Sequence, residues 1–279
     1  MDFRRIQWIF LLIFIAIDVF LSVQWYQGFQ PETSGAAGSL TVLKEIRNDG
    51  ISTGTLSKQA GEGFYVAGQL NNELRQKASQ IKVGTPTFNA TKHSLTVKLA
   101  SKNQFTVNLK HPARKLDPFS AQATNVINGT SYVYNARLTA LATKEIVYVQ
   151  TLPTGLVIAT NGQLRFKINS AGKVVSYTQT YIANPQTLRE RTTTISEQKA
   201  VIWLYQYNQL ANGAKIIWHR LAYAKLLKID NTVVYVPTWF FGVQNGNSSD
   251  IEIKKVNAFT GEIMQTKTTS TKNVASSQI

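Results

Sequence analysis

One long apolar stretch dominates the hydrophobic pattern of the sequence. Of the residues numbered 6–23, only Gln7, Asp18 and Ser22 are not apolar. A helix over this stretch is about 27 Å long at ~1.5 Å per residue, which is enough to cross the hydrocarbon core of a bilayer. The pattern therefore predicts a single transmembrane anchor over residues 6–25.

The charges and aromatic residues around this anchor predict its orientation. Two arginines lie within residues 1–5, and no basic residue follows the apolar stretch before Lys44. This asymmetry places residues 1–5 in the cytoplasm and the rest of the chain outside the membrane. Trp25 and Tyr26 lie where an aromatic belt would hold the outer end. No small residues in A-x-A spacing follow, so we expect the helix to be retained and not cleaved as a signal peptide.

A carboxylate inside the apolar stretch is the first candidate for a functional residue. Asp18 lies about 7 Å along the helix axis from the outer end of the stretch, where an unpartnered charge is costly. Ser22 lies on the same side of the helix, as do Phe14 and approximately Leu11. This side suits contact with another transmembrane helix. In the alternative interpretation, Asp18 reaches the wet interface or is protonated without a partner.

Beyond the anchor, composition divides the chain into further segments. Residues 26–39 are rich in Gly, Ala and Ser and predict a flexible stalk, whereas residues 266–279 lack periodicity and predict a disordered tail. Residues 111–118 contain two prolines, which interrupt a regular element. We therefore expect two outer α+β domains, over 40–125 and 126–265.

The periodicity of the folded part predicts a mixture of short helices and strands. In the first half, helices are expected at 40–48 and 71–80, and a strand pair at 87–98 and 105–109. In the second half, the pattern predicts strands at 145–150, 156–159, 163–169, 173–181, 215–224, 233–243 and 251–258. A few helices among antiparallel strands make the expected fold class α+β.

Two local signals define connections in the second half. Ser170-Ala-Gly172 predicts a hairpin between the third and fourth of these strands. Thr194-Ile-Ser-Glu197 fits a capping box, in which the threonine accepts from the first helical turn and the glutamate reaches back. A helix over 195–210 is expected to follow, with Asn212-Gly213 as its stop.

The last strand but one is apolar on both faces. Tyr235 and Trp239 alternate with Val236 and Phe240, so both faces should be covered. Pro237 lacks an N–H and suits a sheet edge or a bulge better than a central position. The cover comes either from the protein's own chain or from a partner. In the second case Pro237 and Trp239 are candidate outer contact residues.

Composition adds a strong positive charge to this picture. The chain has 279 residues, with 30 Lys+Arg against 15 Asp+Glu and a formal net charge of +15 at pH 7. Such a surface favours anionic neighbours, and for an exported domain we expect wall polymers or acidic protein faces and no nucleic acid. Arg189 and Arg191 precede the predicted capped helix and are candidate outer contacts, although a merely solvated basic face explains the same residues.

No combination of residues in the sequence indicates catalysis or metal binding. The three histidines, His93, His111 and His219, have no metal-ligand spacing, and cysteine is absent. The glycine loops and nucleophile motifs of common enzyme classes are also lacking. We therefore expect no catalytic residue, no cofactor and no metal, and a function that depends on protein contacts.

Several strings, taken in order and together, resemble the YycI family. They are Ile13-Phe-Ile-Ala-Ile-Asp-Val-Phe-Leu21, Tyr177-Thr-Gln-Thr-Tyr-Ile182, Thr194-Ile-Ser-Glu-Gln-Lys-Ala200, Leu204-Tyr-Gln-Tyr-Asn208 and Tyr235-Val-Pro-Thr-Trp239. The closing Val256-Asn-Ala-Phe-Thr-Gly-Glu-Ile263 resembles the strand and turn of PepSY-like modules. The resemblance is strongest over residues 1–25 and 145–263, and none of the strings is a catalytic signature.

The resemblance implies a single-pass membrane regulator of a two-component system that controls cell-wall metabolism in Gram-positive bacteria. It implies two protein partners, a YycH-type sister protein and the sensor histidine kinase WalK, also called YycG. Carried over to this sequence, the contact within the membrane falls on Phe10, Phe14, Asp18 and Ser22. The alternative function is an extracytoplasmic binding module for anionic wall polymers, which the net charge of +15 favours.

Overall fold

The computed structural model describes residues 3–29, 34–70, 72–246, 248 and 250–265. Contacts group the chain into two compact units, Met1–Glu45 and Ile46–Ile279. The predicted tail at 266–279 lies outside the described residues, as do residues 1–2 and the side chains of Trp25 and Tyr26.

The described residues form one long and several shorter helices, together with many strands, most of them short. The helices are α1 Phe3–Phe29, α2 Ser34–Asn48, α3 Glu73–Gln76, α4 Ala113–Ala121, α5 Ala136–Leu141 and α6 Glu197–Gln206. The strands are β1 Glu62–Gly63, β2 Val66–Gln69, β3 Gly84–Asn89, β4 Ser94–Leu99, β5 Phe105–Thr106, β6 Tyr132–Tyr134, β7 Glu145–Leu152, β8 Gly155–Leu156, β9 Gln163–Ile168, β10 Lys173–Thr180, β11 Ala183–Thr187, β12 Thr192–Thr193, β13 Lys215–Ile229, β14 Thr232–Gln244 and β15 Ile251–Asn257.

Helix α1 contains the whole apolar stretch at 6–23. In the described part of the chain, no helix combines the length and the apolar character that crossing a membrane requires. The membrane anchor over residues 6–25 stays a prediction from the sequence.

Helix α2 begins before the predicted range of 40–48 and ends where the sequence predicts. Ile51 N–H donates to Ile46 O and Gly50 N–H donates to Arg47 O, both at 3.0 Å. Gly50 has φ +70°, a left-handed conformation that glycine adopts at little cost and that commonly ends a helix.

The described part of the predicted stalk, 26–39, is helical. Residues 26–29 end α1 and residues 34–39 begin α2. The stalk prediction rests on composition, but alanine has the highest helix propensity, and Ala36 and Ala37 can prolong a helix that is already formed.

Two antiparallel sheets make up most of the unit that begins at Ile46. The first has eight strands in the order β3-β4-β10-β9-β7-β6, with β5 paired to β10 and β8 paired to β7. The second has five strands in the order β11-β2-β14-β13, with β15 paired to β14. A two-stranded ribbon joins β1 to β12. Antiparallel sheets with few helices confirm the predicted α+β class.

Strands from both sides of the boundary predicted between residues 125 and 126 share these sheets. β4 pairs with β10, from Lys98 opposite Ser176 to Ser94 opposite Thr180. β2 pairs in the same way with β14 in the second sheet. Because these partners lie far apart in the sequence, a local change of composition does not mark where a sheet ends.

An aromatic cluster packs against the eight-stranded sheet. Phe166 is fully buried, and its ring centroid lies 5.7 Å from that of Tyr148, 5.8 Å from that of Tyr177 and 6.1 Å from that of Phe119. Tilted and edge-to-face rings at these distances attract each other. The Tyr148 hydroxyl donates to Asp117 Oδ1 at 2.6 Å, which ties α4 to β7.

Two buried tyrosines provide a matched pair for a stability measurement. The Tyr177 hydroxyl donates to Asn125 O at 2.5 Å, whereas the buried Tyr235 hydroxyl has no hydrogen-bond partner among the described residues. Tyr177→Phe should lower the free energy of unfolding by about 1 kcal/mol, and Tyr235→Phe should leave it unchanged or raise it, because only the first loses a bond. Denaturant titration of the full chain measures both, and equal losses would contradict this account.

Two segments predicted as single elements are divided in the structure. The described part of the helix predicted at 71–80 is α3, followed by a 3-10 turn at Ala78–Gln80. The strand predicted at 87–98 is the β3–β4 hairpin, whose turn includes His93 at φ +46°. β5 pairs with β10 and not with this hairpin, so the predicted strand pair is wrong. Alternation alone does not reveal a turn within a polar stretch.

The connector predicted at 111–118 is mostly helical. Helix α4 begins after Pro112 and contains Pro118. A proline inside a helix removes one backbone hydrogen bond, but Leu116 on the same helix is fully buried. Burial of the Leu116 side chain therefore stabilises a helix that the two prolines disfavour.

The capping box predicted at Thr194–Glu197 is wrong. Ser196 is the N-cap residue of α6, and its side chain accepts from the backbone N–H three residues on, at 3.2 Å. Thr194 Oγ1 accepts instead from Gly61 N–H at 3.2 Å, and Glu197 Oε2 accepts from Ser57 N–H at 3.1 Å. Both side chains of the predicted box are used in contacts with a distant segment.

Helix α6 also ends before the stop predicted at 212–213. Asn208 N–H donates to Tyr205 O at 2.9 Å, and Gln209 N–H donates to Leu204 O at 2.8 Å. These two bonds form a Schellman motif, in which Asn208 has the left-handed φ of +54°. Asparagine takes this conformation more readily than most residues, so it ends the helix early.

The strand predicted at 156–159 is reduced to the two-residue β8 and an isolated bridge at Val157. The strands predicted at 145–150, 163–169, 173–181, 215–224, 233–243 and 251–258 are confirmed. β9 and β10 pair as a hairpin through Gly172 at φ +68°. β13, β14 and β15 occupy the three strand ranges predicted after α6, and the first two are longer than predicted.

β14 is an inner strand, contrary to the edge position predicted for Pro237. It pairs with β13 on one side and with both β2 and β15 on the other. Pro237 lies between the β2 pairing, which reaches Tyr235, and the β15 pairing, which begins at Thr238. The missing N–H therefore falls in a gap of the ladder, which is where a sheet tolerates proline.

Candidate functional site

The four residues predicted to contact a partner within the membrane lie along one side of α1. Phe10, Phe14, Asp18 and Ser22 are spaced by four residues, so each lies about 40° further round the helix than the one before. Phe10 is 60% exposed and Phe14 is 61% exposed, and Asp18 and Ser22 are exposed as well. This side therefore offers two aromatic rings, a carboxylate and a hydroxyl to a neighbour.

Exposure of apolar side chains is not confined to that side of α1. Leu12 is 62% exposed and Phe20 is 61% exposed; at ~100° per residue Phe20 lies roughly opposite Asp18 and Leu12 about 120° from it. A helix that is apolar all round belongs in a protein core or in a membrane. Polar residues such as Asp18 and Ser22 are then what distinguishes one side of α1 from another.

The outer candidates Arg189 and Arg191 lie against two consecutive aromatic residues near β1. The guanidinium carbon of Arg189 is 5.9 Å from the Tyr65 ring centroid, and that of Arg191 is 5.5 Å from the Phe64 ring centroid. Exposed cation–π contacts of this kind contribute ~0.5–1 kcal/mol. Phe259 packs on Tyr65 with ring centroids 4.7 Å apart. These five residues are called the Arg–aromatic patch below.

The other two outer candidates support backbone next to the patch. Pro237 is buried and packs so closely on Gly63 that a Cβ added there would lie 2.6 Å from Pro237 Cγ. Trp239 is half-buried, and its Nε1 donates to Ile195 O at 3.0 Å. Pro237 offers no exposed surface to a partner, and β14 is covered by the protein's own chain.

The charges of the patch are only partly compensated. Arg191 Nη1 lies 3.1 Å from Glu62 Oε2, an exposed pair of the kind that contributes about 1 kcal/mol or less. Among the described residues, Arg189 has no ion pair, and its neighbour Leu188 is 50% exposed. The patch thus combines an available guanidinium with exposed apolar surface, which suits an acidic protein face.

Sequence reasoning does not find the aromatic half of the patch. Phe64 and Tyr65 follow Gly61-Glu-Gly, and this adjacent aromatic pair behind two glycines is the signal that could have drawn attention. Phe259 lies in the PepSY-like string, but nothing in the sequence pairs it with Tyr65. The contact depends on strand pairing over a long distance in the chain.

A buried carboxylate joins three elements at the start of α6. Glu197 is 4% exposed; its Oε1 contacts His219 Nδ1 on β13, and its Oε2 accepts from Ser57 N–H at 3.1 Å. These contacts tie β13 and the segment at Ser57 to the start of α6, which is a structural role.

The described residues contain no group of three or more His, Asp or Glu side chains that could hold a metal ion. Burial, together with the bond to Asp117, raises the pKa of the Tyr148 phenol. Burial lowers the pKa of Lys255, whose Nζ lies 5.7 Å from the Phe240 ring centroid. Burial is the largest cause of both pKa shifts.

The patch, both sheets and α6 fall within one match to a known family. Residues 34–259 match the family model described as YycI protein. The chain belongs to the YycI family. The match confirms the family that the sequence strings indicate, although the string on α1, Ile13–Leu21, lies outside it. YycI membership suggests involvement in the WalK/YycG two-component system, a regulatory role.

Two solved structures resemble this YycI chain at a distance. A crystal structure of an uncharacterized protein from Eubacterium rectale has a TM-score of 0.38 at 9% identity and covers 79% of this chain and 92% of that chain. The C-terminal domain of Bacillus megaterium YpeB has a TM-score of 0.36 at 15% identity and covers 83% of this chain and 98% of that chain. No curated protein matches the chain.

Proposed function

We propose that this YycI-family protein is a membrane-anchored, non-enzymatic regulator of a sensor histidine kinase of the WalK/YycG type. It acts through protein contacts, together with a YycH-type sister protein, on a two-component system that controls cell-wall metabolism. α1 crosses the cell membrane once, with residues 1–5 in the cytoplasm and the folded unit outside. Family membership over residues 34–259 is the observation that carries the proposal.

The surface of α1 supports the intramembrane part of the proposal. Its apolar side chains are exposed on all sides, and such a surface is stable only when lipid or protein covers it. Asp18 adds a carboxylate that is costly in lipid without a partner. A neighbouring transmembrane helix that hydrogen-bonds Asp18 and Ser22 would satisfy both groups.

The magnitude of such a contact is sufficient for regulation. Polar contacts between membrane helices contribute ~1–2 kcal/mol. If they favour one of two signalling states of the kinase, they shift the equilibrium between the states by about 5- to 30-fold, since 1.4 kcal/mol is tenfold. No catalytic step is needed.

The folded unit adds a second contact in this proposal. The Arg–aromatic patch meets an acidic and apolar face of the sister protein or of the kinase, with Arg189 as the available charge. The second half of the unit is a PepSY-like module. The PepSY-like string Val256–Ile263 supports this assignment, since it forms a turn after β15 in which Asn257 Oδ1 accepts from Phe259 N–H at 2.9 Å.

Exchange of the apolar stretch tests the proposal. Residues 6–23 are replaced by a leucine helix of equal length, and the tagged full-length protein is purified from bacterial membranes. We expect the kinase to co-purify with the natural helix and to be lost with the leucine helix, because leucine offers no polar contact. Recovery with both would move the contact to the folded unit, and recovery with neither would refute the kinase assignment.

A single substitution then tests the polar contact. Asp18→Leu should reduce co-purified kinase by about 5- to 30-fold, as estimated from ~1–2 kcal/mol per membrane contact. The matched control is Phe20→Leu, which changes a residue about 200° away round the helix and should leave recovery unchanged. Equal recovery with Asp18→Leu and with the natural chain would remove Asp18 from the contact.

A further inference from the structure

A cleft of about 530 Å³ lies between the eight-stranded sheet and the β13–β14 hairpin. One wall is formed by β9, β10 and the turn of the β3–β4 hairpin, and the other by the end of β13. All of these elements belong to the unit that begins at Ile46. The volume lies within the range of ~300–1,000 Å³ that small-molecule sites occupy.

The charged groups of the cleft are all basic. Lys92, Arg165, Lys225 and Lys228 line it, and its described lining residues include no carboxylate. Arg165 is held by Glu145, whose Oε2 lies 2.7 Å from Nη2. The three lysine ammonium groups have no ion pair or hydrogen bond among the described residues, so they are available to an anion. Basic groups that line one concavity reinforce each other's field at its centre.

The rest of the lining is made mostly of hydroxyl and amide groups. Threonine and serine side chains come from β4, β10 and the loop before β9, and Asn161 and Gln163 add two amides. Thr180 organises that loop, since its Oγ1 accepts from Gly162 N–H and Gln163 N–H at 3.0 and 2.9 Å and donates to Thr160 O. Thr178 Oγ1 bonds Thr96 Oγ1 and Gln163 Oε1 accepts from Arg165 Nη1, so the lining groups outside these contacts are the ones that can bond a polar ligand.

One polar atom at the cleft is left without a partner. Nδ1 of His93 is buried and has no hydrogen bond among the described residues, and His93 lines the cleft. The residue has φ +46°, a conformation that is costly outside glycine. A buried polar atom that lacks a partner is unfavourable, so the wall of the cleft at His93 is not fully satisfied by the protein's own contacts.

We propose that this cleft binds a phosphate-bearing polyol, either as a free molecule or as one segment of a phosphodiester-linked chain. Ammonium groups from separate elements can contact several oxygens of one phosphate, with charge-assisted hydrogen bonds. The hydroxyl and amide lining matches a polyol. An apolar ligand is disfavoured because Leu70 is the only large apolar side chain among the described lining residues. Nucleic-acid bases are disfavoured because no phenylalanine, tyrosine or tryptophan lines the described cleft for stacking.

This proposal does not rest on kinase regulation. The cleft and α1 share no residue, so exchange of the helix leaves ligand binding intact, and loss of ligand binding leaves the intramembrane contact intact. The two proposals can fail separately.

Calorimetric titration of the full-length protein in a neutral detergent tests the cleft. The probes are glycerol 3-phosphate, an oligomer of glycerol phosphate, inorganic phosphate and glycerol. The variant is Lys225→Gln/Lys228→Gln, since both lysines are exposed and make no contact that folding needs. The matched control is Lys102→Gln/Lys110→Gln, which removes the same charge from two exposed lysines outside the cleft.

We expect glycerol 3-phosphate to bind more tightly than inorganic phosphate or glycerol. The cleft variant should lose at least tenfold in affinity, and the control less than twofold. Tighter binding of the oligomer would support the chain segment as the natural ligand, and equal binding would support the free molecule. The proposal is overturned by equal losses in the variant and the control, by equal affinity for inorganic phosphate and glycerol 3-phosphate, or by no binding of either phosphate ester.

Discussion

Gly261→Ala should lower the free energy of unfolding by about 3 kcal/mol. Gly261 has φ +76°, and a Cβ added there would lie 0.8 Å from Trp203 Cζ3. The left-handed conformation costs an alanine about 1–2 kcal/mol, and the displaced indole adds about 1–3 kcal/mol of overpacking. Trp203 lies on α6, so the substitution separates the turn after β15 from that helix. Denaturant titration of the full chain measures the loss.

Gly213→Ala separates the cost of the left-handed backbone from the cost of displacing Trp203. Gly213 has φ +73°, but a Cβ added there would meet no atom within 4 Å. Gly213→Ala should lower the free energy of unfolding by about 1–2 kcal/mol, from backbone strain alone. Equal losses at both positions would mean that Trp203 moves aside freely, and the close packing of the turn on α6 would then contribute nothing to stability.

Glu197→Ala should have the second-largest effect, a loss of about 2–3 kcal/mol. The carboxylate side chain is 6% exposed, and its removal leaves Ser57 N–H without an acceptor and His219 without its contact. Breaking a fully buried pair costs about 3–5 kcal/mol, and the loss here is smaller because the His219 side chain is 36% exposed. The segment before β1 should also open, which amide hydrogen exchange at Ser57 would detect.

Glu190→Ala is the matched control, because it removes an exposed carboxylate and should change stability by less than about 0.5 kcal/mol. Glu197→Gln keeps an acceptor for Ser57 but removes the charge that faces His219, so its loss should be intermediate. If Glu197→Ala behaves like Glu190→Ala, the buried carboxylate is not a structural tie.

The candidate site is only partly predictable from the sequence. Asp18 is a candidate because a carboxylate inside a predicted transmembrane helix would be costly without a partner, and that argument needs no structure. Arg189 and Arg191 are identifiable as a local basic pair. Their aromatic partners Phe64 and Tyr65 are not, because the contact depends on the pairing of β1 with β12.

Side chains whose local pattern predicts a helix cap can make tertiary contacts and leave the cap to another residue. Thr194 and Glu197 fit a capping box in the sequence, yet they bind the backbone at Gly61 and Ser57, while Ser196 caps α6. Thr194 and Ser196 are both suited to be the N-cap of α6. Ser196 takes that position, and the Thr194 hydroxyl bonds Gly61 instead. A short sequence pattern contains no information about contacts with residues far away in the chain.

The sequence by itself determines the family, the α+β class, the apolar helix and most second-half strands. These features follow from short-range periodicity, from turn residues such as Gly172 and from strings that keep their order. The tertiary structure alone decides the strand order, the gap that accommodates Pro237, the Arg–aromatic patch and the basic cleft. Each of these joins segments far apart in the chain, and the free energy of such contacts depends on geometry that no local pattern contains.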